Sequence, residues 1–256
     1  KTAEYSKDYV IEGTAGTTVN FTIQVADNQN QVSSLVSIPV TVSVVPPKSI
    51  VDVEGVIEGN VTWTKDKIYR LKGYVRVGEE AVFGTVSKVG QLTIQPGTVI
   101  IGDKATKGTL VVHRGSKLIA EGTAEKPIVF TSKMAVGERD KGDWGGIIIL
   151  GNANVNQANT PIEGVTPSVN FGTFNSTAND TESSGILKFV RIEYAGIALS
   201  PNNEINGLTF GGVGSGTIVE NVQVSYSGDD AFEWFGGTVN CKNIVAYGTW
   251  DDDFDT

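Results

Sequence analysis

The chain is poor in the residues from which most catalytic and metal centres are built. Its 256 residues include one Cys, one His and one Met. A lone cysteine, Cys241, forms no internal disulfide and no Cys-x-x-Cys zinc or redox pair. The single histidine excludes a His-rich metal site; His113, between Val112 and Arg114 and outside any acidic cluster, is expected to be exposed on a strand. No apolar run reaches the roughly 18 residues of a transmembrane helix. The opening "KTAEYSKDYV" also lacks the apolar stretch of a signal peptide. Lys and Arg number 20 against 29 Asp and Glu, a net charge of -9. With no basic stripe to neutralise phosphates, nucleic acid is excluded as a partner. The chain does not begin with Met and reads as a processed or partial polypeptide, any export signal, lipid anchor or sorting segment lying outside it.

What is present is β structure punctuated by glycine, of which there are 31. Residues 9–11, 17–27 and 34–45 read as antiparallel strands, with Val19, Phe21, Ile23 and Val25 alternating and "DNQNQ" as the turn. Three strands do not close a sandwich, so residues 1–45 are expected to be the C-terminal part of an immunoglobulin-like or cadherin-like module. "PPK" at 46–48 ends the last strand, because proline donates nothing to a sheet ladder, and residues 46–50 read as a linker.

From residue 51 to 256 short apolar triplets alternate with glycine-centred turns. "LTIQPGTVI" at 92–100 aligns with "LVVHRGSKL" at 110–118 at a spacing of 18, and the same step reaches "IVFTS" at 128–132. Such a period predicts a solenoid of stacked coils, in an all-β fold class. A right-handed parallel β-helix is preferred to a left-handed hexapeptide helix, because the repeats do not fall into sixes and parallel crossovers favour that hand. The polar stretch 154–185 is expected to leave the coil as an excursion of the kind that often carries function. "GGVGSGT" at 211–217 precedes no Lys-Ser/Thr and no helix, so it reads as tight corners rather than a phosphate loop.

Two acidic, aromatic runs stand out, "SGDDAFEWF" at 227–235 and "WDDDFD" at 250–255. Asp230 and Asp252, Phe232 and Phe254, and Glu233 and Asp255 are each 22 apart, which predicts clusters on neighbouring coils. Carboxylates about 5 Å apart at an effective dielectric near 20 repel by roughly 3 kcal/mol, so such a stack calls for a cation, a proton or full hydration. One reading is a calcium site drawn from Asp229, Asp230, Asp251, Asp252 and Asp253; the other is solvated turn carboxylates that accept backbone N–H bonds. "GDD" at 228–230 also resembles a polygalacturonase motif, but its companion Asn-Thr-Asp and Arg-x-Lys elements are missing. Trp144, Trp234 and Trp250 are candidates for a sugar-stacking platform, with core packing as the competing role. "ERDKGDWGG" at 138–146 reads as a salt-bridged turn.

"VTWTKDKIYRLKGYVRV", "GDWGGIIILGNA", "VRIEYAG", "NGLTFGGVGSGT" and "DDAFEWFGGTVNCKNIVAYGTWDDDFD", in that order over residues 50–256, resemble a family of Bacteroidetes surface proteins and lipoproteins. The resemblance implies a right-handed parallel β-helix preceded by an immunoglobulin-like module, at the outer membrane or outside the cell. It implies no catalytic residues, and further coils beyond Thr256. Three readings of function follow. The favoured one is a non-catalytic envelope protein binding a glycan, a peptide or an outer-membrane uptake or secretion component, with Trp234, Trp250 and Glu233 as ligand contacts. The second is a calcium-dependent polysaccharide lyase or hydrolase using Asp229, Asp230 and Asp252. The third is a structural stalk or adhesin.

Overall fold

The computed structural model describes residues 16–27, 29–41, 47–82, 85–158, 160–174, 177–200 and 203–256. The chain divides into two compact units, Lys1–Pro47 and Lys48–Thr256. In the first, Thr18–Ile23 and Val36–Thr41 pair antiparallel, with Thr18 opposite Thr41 and Ile23 opposite Val36. The strand expected at 9–11 and residues 42–45 lie outside the described residues. Ser49 and Ile50, expected in the linker, already stand in the strand Ser49–Ile57 of the second unit.

The second unit is a right-handed parallel β-helix, with no α-helix among the described residues. Its strands form three walls. Wall A stacks Gly59–Trp63, Gly90–Ile94, Lys117–Glu121, residues 185–188, residues 218–220 and Asn240–Lys242. Wall B stacks residues 49–53, residues 67–71, Val99–Gly102, Ile128–Ser132, residues 190–193, residues 222–225 and Val245–Tyr247. Wall C stacks residues 55–57, residues 75–77, Thr109–Val112, Ile147–Leu150, Leu208–Val213, Phe232–Gly237 and Phe254–Asp255.

The pairing corrects the expected period. Leu92 stacks on Leu118, not on Leu110, whereas Leu110 stacks on Val75 and Ile147 in wall C. Leu92, Ile100, Leu110 and Leu118 stand in walls A, B, C and A. The 18-residue step therefore spans two walls, each with the same triplet-and-turn grammar, rather than one full coil. True coil lengths vary with what is inserted at the corners: Ile50 to Ile68 is one coil, and so is Ile128 to Val190.

Strand alternation sends every second side chain inward, and the parallel register stacks these into columns. Wall A contributes Trp63, Ile94, Ala120, Leu187, Val219 and Cys241. Wall B contributes Tyr69, Ile100, Phe130, Ile192, Val224 and Ala246. Wall C contributes Val75, Leu110, Ile147, Leu208, Phe232 and Phe254. Apart from Phe254, which is 49 % exposed, these side chains form one continuous core, and burial of each large one stabilises the fold by about 1.5–3 kcal/mol. Burial in this core pushes the Cys241 thiol up to about 11, so the lone cysteine is an inert packing residue.

In its middle rungs wall C is buried on both sides. Val111, Ile148 and Leu150 face outward against Val155, Ile162, Val165, Val169 and Phe171 of the excursion, forming a second apolar cluster. The uninterrupted "IIIL" is what a strand covered on both faces should look like. The "GGVGSGT" corner holds the end of the excursion, with the Gly214 N–H donating to the Glu182 carboxylate at 2.6 Å. Trp144 is fully buried, its indole N–H donating to the Glu193 carbonyl at 2.8 Å, so it is core rather than sugar platform. The expected salt-bridged turn around it is real: Asp143 receives Lys104 at 3.0 Å and the Ser132 hydroxyl at 2.7 Å.

His113 is 1 % exposed, not a surface strand residue, and neither ring nitrogen has a partner. Desolvation, reinforced by Arg76, lowers its pKa to about 4, which keeps it neutral. It lies in the turn just after the last strand residue of its wall C rung, where strand alternation no longer decides the side.

Gly102 shows how tightly the coils are fitted. A Cβ there would stand 2.2 Å from the Trp144 Cβ. Gly102→Ala should therefore lower the unfolding free energy by about 1–3 kcal/mol through overpacking. Urea denaturation measures this, and an unchanged midpoint would contradict the packing described.

Candidate functional site

The corner between walls B and C holds the acids. In the last two coils it is made of residues 226–231 and 248–253, related by the 22-residue register that pairs Phe232 with Phe254 and Glu233 with Asp255. The upper turn rests on the one beneath it. Gly228 N–H donates to the Ala195 carbonyl at 2.8 Å, and Gly196, at φ +87°, would carry a Cβ only 2.4 Å from Gly228 N. Glycine at 196 is what lets the acidic turn come down onto the rung below.

Backbone bonds lock the two acidic turns together. Ala231 N–H donates to the Asp252 carbonyl at 3.0 Å, and Asp252 N–H donates to Asp230 Oδ1 at 2.8 Å. Asp252 thus contributes its backbone to the site, and the Asp253 carboxylate is engaged by the Thr249 hydroxyl at 3.0 Å. The remaining acids form two trios that share Asp230. Asp229, Asp230 and Asp251 bring one carboxylate oxygen each within 4.8 Å of one another, as do Asp230, Glu233 and Asp255. Of the five expected metal-ligand residues, Asp229, Asp230 and Asp251 converge, while Asp252 and Asp253 belong to neither trio. Asp255 enters as an additional member.

The second trio stands on the outer side of wall C. The outward column there runs Arg76, Val111, Ile148, Thr209, Glu233, Asp255, so it changes from apolar under the excursion to acidic in the last two coils. Asn206, 3 % exposed, donates its amide to Glu233 Oε2. No spacing rule applied to the acids alone identifies Asn206. The 24-residue register of Leu208 with Phe232 does, since it carries Asn206 to Asp230. Glu163 and Glu204 approach from the excursion and from the hairpin that pairs Ala198–Ser200 with Asn203–Glu204, the Glu204 N–H donating to Glu163 at 3.2 Å.

Among the described residues, none of these carboxylates is paired with Lys or Arg, and the electrostatic consequence is large. Burial raises the Glu233 carboxyl to about 8, helped by Asp230, Glu163, Asp255 and Asp229. Burial raises Asp229 to about 7, helped by Asp230, Glu204 and Asp251. Asp230 rises to about 6, mainly through burial, against the pull of the Asp252 N–H. Two full charges within 4.8 Å repel by roughly 3 kcal/mol at an effective dielectric near 20, so without a cation the cluster holds protons.

The aromatic candidates separate. Trp234 stacks above Phe210 in the inner column of wall C, its ring 5.6 Å from that of Phe210 and 6.0 Å from that of Phe232, so it is a partly buried ring packed against the core. Phe235, two-sided as the alternation demands, faces outward onto Phe171 at 5.5 Å. Trp250 is 73 % exposed, with Lys141 Nζ 5.9 Å from its ring and bonded to the Thr249 carbonyl at 3.0 Å. Next to it along the same corner runs a tyrosine ladder the sequence reading missed. Tyr194 stacks on Tyr226 at 5.3 Å, and Tyr226 meets Tyr247 edge-on at 5.4 Å. Its signal is the recurrent Tyr before or near Gly in "EYAG", "SYSG" and "AYG".

A family model described as a pectate-lyase-like β-helix domain matches residues 55–256. No curated protein and no solved structure matches the chain.

The charge state of the cluster makes a stability prediction. A carboxyl whose pKa rises on folding contributes stability that is complete below its unfolded value, 4.5 for Glu233, and is lost as pH climbs to about 8. In metal-free buffer the thermal midpoint should fall between about pH 5 and pH 8.5, and Glu233→Gln should flatten part of that fall. A midpoint that rises steadily across the interval would contradict the assignment.

Proposed function

The chain belongs to the family of pectate-lyase-like β-helix domains, and on that premise we propose that it is a non-catalytic carbohydrate-binding protein of the cell surface. The observation that carries this reading is the exposed aromatic row Tyr226, Tyr247 and Trp250 beside Asp229 and Asp251. Aromatic faces with a polar tip suit the apolar faces of sugar rings, and carboxylates accept sugar hydroxyls. Of the ligand contacts expected from sequence, Trp250 fits this surface. Trp234, partly buried, packs against the core, and Glu233, 9 % exposed, acts behind the surface. A surface setting is supported by the resemblance to Bacteroidetes envelope proteins. Peptide or outer-membrane partners would use the same exposed edge.

The enzymatic alternative draws on Asp229, whose carboxyl, raised to about 7, would be available as a general acid near neutral pH. Against inverting hydrolysis, the carboxylate oxygens of each trio lie within 4.8 Å, closer than the roughly 6.5–9.5 Å that leaves room for the attacking water.

Affinity electrophoresis through gels carrying neutral or anionic polysaccharides tests the binding reading. Retardation by a neutral glycan is expected. Trp250→Ala should weaken it about tenfold, the loss of one stacking contact of about 1.4 kcal/mol. Retardation equal in wild type and Trp250→Ala would remove this surface from the account. New reducing or unsaturated ends that disappear in Asp230→Asn would replace binding with catalysis.

A further inference from the structure

We infer that Asp230, Glu233, Asp255 and the side-chain oxygen of Asn206 form a calcium site that clamps the last two coils of wall C to the rung below. The three carboxylates converge within 4.8 Å, but an acidic cluster alone is common on protein surfaces. The independent sign of a ligand is Asn206. It is 97 % buried, its Nδ2 is fixed on Glu233, and its Oδ1 has no partner. The nitrogen holds the amide against Glu233, and the oxygen of the same buried side chain is the acceptor left unpaired beside it. A buried acceptor left unpaired costs about 1–3 kcal/mol unless something donates to it or coordinates it.

The distribution of such orphans across the molecule strengthens the point. Among the described residues, unpaired buried side-chain polar atoms occur at His113, Asn206 and Ser227. Two of these three residues flank the acids, Ser227 being two residues from Asp229 and fully buried. Carboxylates that meet no Lys or Arg, beside amide and hydroxyl oxygens that meet no donor, make a set short of positive charge and rich in hard oxygen. Calcium takes six to eight such oxygens in loose geometry, with water completing the shell. Magnesium demands a tighter octahedron and dehydrates reluctantly, so calcium is the better match.

The ladder explains why the ligands come from three rungs. Asn206 precedes the wall C strand Leu208–Val213, Asp230 and Glu233 belong to the next rung, and Asp255 to the last. A bound ion therefore ties three coils together. Cation binding is independent of the glycan reading and is measured without any glycan present, so either can fail while the other stands.

The test is isothermal titration of the chelator-treated chain with calcium alone, paired with thermal unfolding. One site per chain and a rise in melting temperature are expected. Asp255→Asn, on the exposed final strand, and Asn206→Ala should each weaken calcium at least tenfold, while Asp66→Asn, far along the chain, should not. Asn206→Ala separates a coordination site from diffuse screening, because it removes no charge. No binding heat and no thermal shift would overturn the inference. So would calcium affinity unchanged in Asp255→Asn, or lowered equally by Asp66→Asn. Magnesium binding as tightly as calcium would overturn the choice of ion.

Discussion

Everything in the second unit depends on the parallel backbone ladder, which stacks one coil on the next at about 4.8 Å. That spacing gives each residue only two neighbours in its column, one above and one below. Where the column is apolar the result is a core: Tyr69, Ile100, Phe130, Ile192 and Val224 rise through wall B as one continuous contact. Where the column is acidic the ladder offers no lateral escape. Asp255 lies over Glu233, and Asp251 and Asp252 sit one turn above Asp229 and Asp230, because register bonds that serve the whole fold put them there. The charge problem at this corner is a consequence of the scaffold.

The same constraint explains the insertions. A coil of three short strands leaves its outward faces to solvent unless something covers them. In wall C the excursion does so, burying Val155, Ile162, Val165 and Phe171 against Val111, Ile148 and Leu150. It leaves the coil as its polar composition suggested, and its apolar side chains make a second core there. Two rungs later the outward positions become Glu233 and Asp255, Asn206 is drawn against them, and packing gives way to chemistry. The clustering of unpaired buried oxygens at that boundary is what turns a charged surface into a candidate site.

Much of this was legible in the sequence, for identifiable reasons. Alternating triplets and glycine turns report strands and corners directly, so the β-helix could be read before any coordinates. The 22-residue pairing of the acids was legible because the last coil carries no insertion, so distance along the chain equals distance around the coil. Upstream that equality fails. Leu92 and Leu110 share a grammar while standing in different walls, and insertions stretch the coil between Ile128 and Val190. The burial of His113 escaped the reading because it stands in a turn, where alternation does not choose a side, and for Trp144, also in a turn, core and surface roles both stayed open until its burial decided for the core. Asn206 escaped because its role comes from register with Asp230, which appears only once Leu208 is known to stack on Phe232.

The central claim is that the ladder forces carboxylates into contact at this corner, so that a proton or a cation must compensate them. Carbon-13 NMR of the side-chain carboxyl carbons, titrated across pH in metal-free buffer with Glu233→Gln for assignment, reports that contact directly. The account predicts that Glu233 titrates near 8, far above its ordinary 4.5, and that calcium displaces the proton so that the carboxyl is ionised at neutral pH. A Glu233 carboxyl titrating at its ordinary value, with or without calcium, would contradict the account.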